Sequence, residues 1–255
     1  MGQNKALELE HARKILHHPE FYWNSATSSG YRGSVRRADW VAKAAGFRPG
    51  LRVLEVGCGT GFFSEIFLRH GIDLHAIDIS PELLAKARER FLPAAGQTKE
   101  KKIDFRLCDI ESLPYKDGVF DAVVGIRVLH HLDMEASFAE ISRVLARGGV
   151  IAFCEPNMLN PQIMIQKNIP FVKRLMGDTP DETAFFKWPL NRFLKNHGFA
   201  DICIEPFDFL HPWIPGALAP SAEAIGGILE RIPVVKEIAG SLRIFAKKAI
   251  DRGVQ

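Results

Sequence analysis

Cysteine is scarce in this chain: Cys58, Cys108, Cys154 and Cys203 are four in 255 residues. They stand roughly fifty residues apart, which fits neither a disulfide scaffold nor a paired metal-ligand spacing. No uninterrupted apolar run approaches the roughly eighteen residues of a membrane-spanning helix. Net charge is almost absent as well. Lys and Arg number 33 against 30 Asp and Glu, a formal +3, and the basic residues are scattered, so no nucleic-acid partner is expected. The N-terminus lacks the charged lead and apolar run of a secretory signal, and Ala6 stands where a myristoylation pattern needs Ser or Thr. The expected setting is a reducing cytoplasm. What remains is ordinary for a globular protein, 47% apolar and 25% charged, with enough chain to bury a substantial core.

Residues 1–50 carry helical spacing around Leu7 to Leu16 and Val35 to Ala45. After Pro49-Gly50 short apolar runs alternate with helical stretches. Strands are predicted at 51–56, 74–79, 103–108, 120–125 and 150–154, with helices at 61–70, 81–91 and 134–145. This pattern predicts a mostly parallel sheet covered by helices on both faces. The alternation breaks at Pro156. Two insertions, 156–184 and 206–240, flank a helix near 190–197 and a strand at 199–205, and a last strand at 241–247 is expected to close an edge. The expected plan is one domain: a helical cap segment (1–50), a cofactor-binding half (51–154) and two insertions forming a substrate lid.

Glu55-Val56-Gly57-Cys58-Gly59-Thr60-Gly61-Phe62 places three glycines directly after the first strand, where a small-residue turn lets backbone approach a ligand. The glycines fall at 57, 59 and 61. A dinucleotide fingerprint needs its third at 62, so a pyrophosphate is disfavoured. Asp78 ends the second strand, suited to a ribose diol. Asp109 ends the third, suited to an adenine amine, with Ile79 and Ile110 offering apolar surface to the ring. Singly, each has a plainer reading: a structural turn, a helix cap before Ser80-Pro81, or a turn residue. Glu55 either holds the glycine turn or reaches a ligand ammonium through water.

With Phe120-Asp121-Ala122-Val123-Val124, Val128-Leu129-His130-His131-Leu132 and Val144-Leu145-Ala146-Arg147-Gly148-Gly149, these motifs make residues 51–154 resemble the class I S-adenosylmethionine-dependent methyltransferases, particularly small-molecule and lipid enzymes. The resemblance implies a Rossmann-like α/β fold with a seven-stranded sheet whose last strand is antiparallel. It implies S-adenosyl-L-methionine as cofactor, with S-adenosyl-L-homocysteine as product. It also implies a cofactor site of Glu55, Gly57, Cys58, Gly59, Gly61, Phe62, Asp78, Ile79, Asp109 and Ile110. Gly125, Ile126 and Arg127 would pass beneath the cofactor toward its methyl group.

Methyl transfer from a sulfonium asks mainly for alignment and exclusion of water, needs no metal, and gains from a base when the acceptor is a hydroxyl or a protonated amine. His130, His131 and Glu155 are the candidate catalytic groups. One of the two adjacent histidines is expected to face the pocket. Arg127 is a further polar candidate, for an anionic substrate head group or simply for a nearby Asp or Glu. Tyr22, Trp23, Tyr31, Asn157, Phe186 and Trp213 are candidates for the acceptor pocket, with Phe171, Phe185, Trp188 and Phe207 as neighbouring rings. Arg36-Arg37 reads first as a solvated helix face. The expected reaction is methylation of a hydroxyl or amine on a small or lipid-like molecule. Carbon methylation and a non-catalytic cofactor-binding protein are the alternatives. Oligomeric state and peripheral membrane contact stay open.

Overall fold

Strands buried on both faces should read as near-continuous apolar runs, and edge strands as mixed ones. The computed structural model, which describes residues 5–16, 26–92, 103–180 and 182–250, follows that rule. Its seven strands are β1 (Arg52–Val56), β2 (Asp73–Asp78), β3 (Ile103–Leu107), β4 (Phe120–Ile126), β5 (Leu145–Pro156), β6 (Phe199–Phe207) and β7 (Ser241–Lys248). They form one sheet in the order β3-β2-β1-β4-β5-β7-β6. The first five run parallel, and β7 is antiparallel to both neighbours. Central β1 and β4 are almost wholly buried, whereas the edge strands β3 and β6 mix exposed with half-buried positions.

The helices are α1 (Lys5–Ile15), α2 (Ser28–Ala44), α3 (Phe62–Phe67), α4 (Pro81–Arg90), α5 (Met134–Val144), α6 (Pro161–Asn168), α7 (Pro170–Leu175), α8 (Lys187–Asn196) and α9 (Ala219–Leu229). Caps fix several of their starts. Ser80 Oγ accepts from Leu83 N with Pro81 in the first turn, and Asp133 and Asn160 cap α5 and α6 in the same manner. One core cluster, around Leu54, Phe120, Phe138 and Phe153, lies on one face of the sheet region, and a second gathers Val41, Val53, Phe67 and Phe207.

The last strand corrects the expectation that it closes an edge. β7 lies between β5 and β6, pairing Val150 with Lys247 and Pro156 with Ser241 on one side, and Phe199 with Lys248 on the other. Its Leu242, Ile244 and Ala246 are fully buried, which an edge would waste, while the polar alternation of β6 suits the outer position. Residues 156–184 supply the short helices α6 and α7, and residues 208–240 supply α9 with irregular chain around it. Among the described residues, no helix is long and apolar enough to cross a membrane.

Candidate active site

The carboxyl ends of β1, β2 and β4 open into a cavity whose floor is the glycine turn. Gly57, Gly59 and Gly61 hold φ of 66°, 53° and 75°, in the left-handed region that glycine enters without a Cβ penalty. A Cβ on Gly57 would stand 2.4 Å from Val128 Cγ2, so this position excludes any side chain. Asp78 folds back on the turn, its Oδ2 accepting from Gly59 N and its Oδ1 from Ser80 N, both at 2.8 Å. Burial lifts its pKa although these backbone donors oppose the rise. Val56, Gly57, Cys58, Gly59, Phe62, Asp78, Ile79, Asp109, Ile110, Ile126 and Arg127 all line this cavity. The turn, the carboxylate behind it and the apolar Ile79 and Ile110 fit an adenosine carrying a short polar chain.

Three sequence candidates for the cofactor lie off the cavity wall. Glu55 is enclosed beneath the turn, where Ser64 Oγ of α3 donates to its Oε2 at 2.5 Å. Burial pushes its pKa up to about 8, and its bond to Ser64 fixes it behind the turn. Gly61 faces α4, its Cβ position 3.0 Å from the Phe91 ring and 3.3 Å from Ala87. Gly125 is a packing glycine, wedged 2.7 Å from Val128 Cγ1 and 2.8 Å from Phe153.

The cavity's roof escaped the motif reading. Lys5, Glu8, His11 and Ala12, all on α1, line it, and Lys5 Nζ pairs with Asp109 and Glu111 at 2.5 Å each.

A second cavity of about 570 Å³ adjoins the first and is walled by the start of α2, the α6–α7 insertion and residues 208–213. His11, Arg37, Arg127 and His131 line both. His130 also lines the second, so both adjacent histidines face it, against the expectation of one. The pair sits in a tight helical turn over Leu129–His131, where consecutive side chains diverge less than on a strand, and the ring centroids are 4.1 Å apart.

Glu155 lines neither cavity. It is fully buried, its Oε1 accepting from Val128 N and Leu129 N at 2.9 Å and its Oε2 meeting His130 Nδ1 at 2.6 Å. It therefore positions the histidine turn. On the other side of the ring, His130 Nε2 lies 3.5 Å from Glu182 Oε1. Burial opposes charge on His130, but Glu155 and then Glu182 outweigh it and push the pKa up to about 9. Glu182 is held well below the usual carboxylate range: its burial is overcome by His130, His131 and Lys167. His131 Nδ1 lies 3.0 Å from Glu8 Oε2. Burial would raise the Glu8 pKa, yet His131 and His11 bring it down. His130, His131 and Glu182 each bring one ligand atom within 4.8 Å of the others. A cation entering there would compete with the Lys167 ammonium, which pairs with both Glu182 and Asp178.

Arg37 corrects the reading of a solvated helix face. It is 5% exposed and pairs with Asp208 at 2.5 Å, while Arg36 bonds Glu230 at 2.9 Å. α2 is further tied to the second insertion by Thr27 Oγ1 donating to Pro212 O and Ser29 Oγ to Ile214 O.

Of the acceptor candidates, Trp213 lines the second cavity. Tyr31 packs edge-on against Phe62 and lines neither. Asn157 is a buried tie, its Nδ2 donating to Glu237 O and Ala239 O. Phe186 precedes α8 and lines neither cavity. Phe171 and Trp188 are exposed, and Phe185 and Phe207 pack in the core clusters. Tyr22 and Trp23 lie outside the described residues.

Sequence and structure comparisons bear on the family and the fold. Residues 54–153 match the family model described as a methyltransferase domain. The chain is 38% identical over 117 residues to the ubiquinone biosynthesis O-methyltransferase of Xanthomonas campestris pv. campestris (strain B100), covering 45% of this chain and 46% of that one. It thus spans about half the length of this relative. With the demethylmenaquinone methyltransferase of Parafrankia sp. (strain EAN1pec) it shares 30% identity over 190 residues, 65% of this chain and 74% of the other. The solved structure of the [4+2]-cyclase SpnF superposes with a TM-score of 0.59 and 25% identity, over 85% of this chain and 82% of that one. Fold, glycine turn, acidic strand ends and these relatives converge: the chain belongs to the class I S-adenosylmethionine-dependent methyltransferases.

Proposed function

We propose that this chain transfers a methyl group from S-adenosylmethionine to a hydroxyl of a small or lipid-like organic acceptor, an amine being the neighbouring choice. The observation that carries the proposal is the shared wall: His11, Arg37, Arg127 and His131 line both cavities, so an acceptor in the second would lie beside the contents of the first. When bound, the cofactor supplies a methyl carbon activated by a sulfonium.

The chain's own task is to hold the acceptor and take its proton. Glu8, kept ionised, lies 3.0 Å from His131 Nδ1 without hydrogen-bond geometry, and His131, which lines both cavities, is the base that would accept the hydroxyl proton. His130 has a different part. Held between Glu155 and Glu182 it keeps its proton at neutral pH, a fixed positive charge beside an oxygen that becomes more basic as its proton leaves. Glu155 keeps that turn in place through its two backbone contacts.

Carbon methylation is the second reading, favoured by the relative named for demethylmenaquinone. The cyclase relative is named for another chemistry altogether, so the fold alone does not dictate methyl transfer. Incubation with methyl-labelled donor and a fractionated extract of the source cell, followed by mass identification, tests the proposal. Label in a methyl ether or N-methyl product supports it. Label on carbon selects the second reading, and donor binding without any labelled product identifies a non-catalytic binding protein.

A further inference from the structure

The wall between the two cavities carries a guanidinium with nothing to hold. Arg127 follows β4 in the left-handed region, at φ 56°, a strained choice for a long side chain. Its backbone N–H donates to Cys154 O, but no side chain among the described residues hydrogen-bonds or pairs with its guanidinium. Nε is enclosed and without a partner. Three neighbouring cations are engaged elsewhere: Arg37 with Asp208 and Ser34, Arg36 with Glu230, Lys167 with Asp178 and Glu182. The carboxylates nearest in effect, Asp208, Glu155 and Glu182, are each bonded to another group. Burial and the like charge of Arg37 press the Arg127 pKa down to about 10, which still leaves it charged at neutral pH.

An unpaired, poorly solvated cation is an unfavourable thing to maintain unless a ligand completes it. A guanidinium presents its donors in a fixed fork that matches carboxylate and phosphate oxygens. A sulfonium arriving in the adjoining cavity adds a second positive charge, which makes an anion at Arg127 more valuable still.

We propose that Arg127 is the receptor for an oxyanion, a carboxylate or phosphate, carried by the acceptor, so that the substrate of this site is an acid. This rests on the methyl-transfer reading and deepens it. The donor's own carboxylate is the rival source of the same chemistry, and the test separates the two.

Benzoate, phenyl phosphate and the neutral benzamide are titrated calorimetrically into protein saturated with S-adenosylhomocysteine, and separately into protein without it. The proposal expects benzoate or phenyl phosphate to bind the saturated protein at least about tenfold more tightly than benzamide. In Arg127→Asn, a residue at ease in left-handed backbone, that preference disappears, and the loss of benzoate or phenyl phosphate affinity exceeds any loss of S-adenosylhomocysteine affinity. Arg127→Lys keeps the charge but loses the fork, and serves if the first variant melts early; it is expected to lose most of the preference. An Arg127 variant whose S-adenosylhomocysteine affinity falls about tenfold, with no anion preference in the parent, assigns the guanidinium to the donor and overturns the proposal. Absence of any anion preference overturns it too. Anion preference in a protein that binds no S-adenosylhomocysteine would keep the anion site and remove the methyl-transfer reading beneath it.

Discussion

The two cavities of this protein are built by different means. The first is made of backbone: three left-handed glycines and a carboxylate accepting from Gly59 N and Ser80 N, all within one run of the chain from 55 to 80. The second is made of ion pairs between distant residues. Arg37 meets Asp208, and Glu182 meets both His130 and Lys167. A site made of backbone tolerates changes of side chain and holds one ligand. A site made of charge pairs depends on each partner and is free to differ in what it accepts. That contrast explains why the donor is readable at the level of the family and the acceptor is not.

The comparison can be broken where it is most exposed. Under the proposed function His131 takes the acceptor's proton, so His131→Gln is expected to slow turnover by about 10²–10⁴-fold, far more than it weakens donor affinity at the cavity wall it also lines. Initial rates of S-adenosylhomocysteine release, with the acceptor found by labelling, measure this. A variant that loses donor binding in step with turnover would merge the two sites into one.

Glu155→Ala probes the support behind the histidines. It leaves the Val128 and Leu129 N–H groups unpaired and the His130 imidazolium facing only Glu182, and should destabilise by about 3–5 kcal/mol in denaturant unfolding. A change below about 1 kcal/mol would show that the carboxylate is dispensable.

The pH dependence of stability sharpens the contrast further. His130 has its pKa raised to about 9, so the stability it lends is complete below its unfolded value near 6.5 and is lost as pH rises through about 9. Glu55, raised to about 8, loses its contribution in the same direction, between its unfolded value near 4.5 and about 8. Melting temperature should therefore fall as pH rises from 6.5 to 9. The fall should be shallower in His130→Gln, and a slope unchanged in that variant would contradict the assigned charge state.

The smallest effect belongs to the roof. Lys5 is 45% exposed in its pairs with Asp109 and Glu111, so Lys5→Ala should weaken donor binding by no more than about 1 kcal/mol, and less at high salt. A loss well above that, persisting in high salt, would make α1 part of the donor site proper.

How much could be read beforehand follows the same division. The strands and helices of residues 51–154 announce themselves through apolar runs set against capped helix starts such as Ser80-Pro81, because each signal is local. The order of β6 and β7 is not local. It depends on which of two late strands buries both faces, and only the pairing with β5 decides it. The ion pairs are further out of reach: Arg37 and Asp208 are 171 residues apart, and each alone looks like surface charge. Asp208, set between Phe207 and Phe209, carried the one usable hint, since an acid in an apolar run implies a buried partner. The aromatic residues misled because rings fill cores and cover surfaces as readily as they line pockets, as Phe185, Trp188 and Phe207 do here.

The glycine turn and Asp78 are expected to hold an adenosyl donor, and isothermal titration with S-adenosylhomocysteine tests that most directly. One equivalent should bind per chain, and folded Asp78→Ala should bind about 1–3 kcal/mol more weakly through loss of charge-assisted hydrogen bonds. No binding by the parent, or equal affinity in a folded Asp78→Ala, would contradict it.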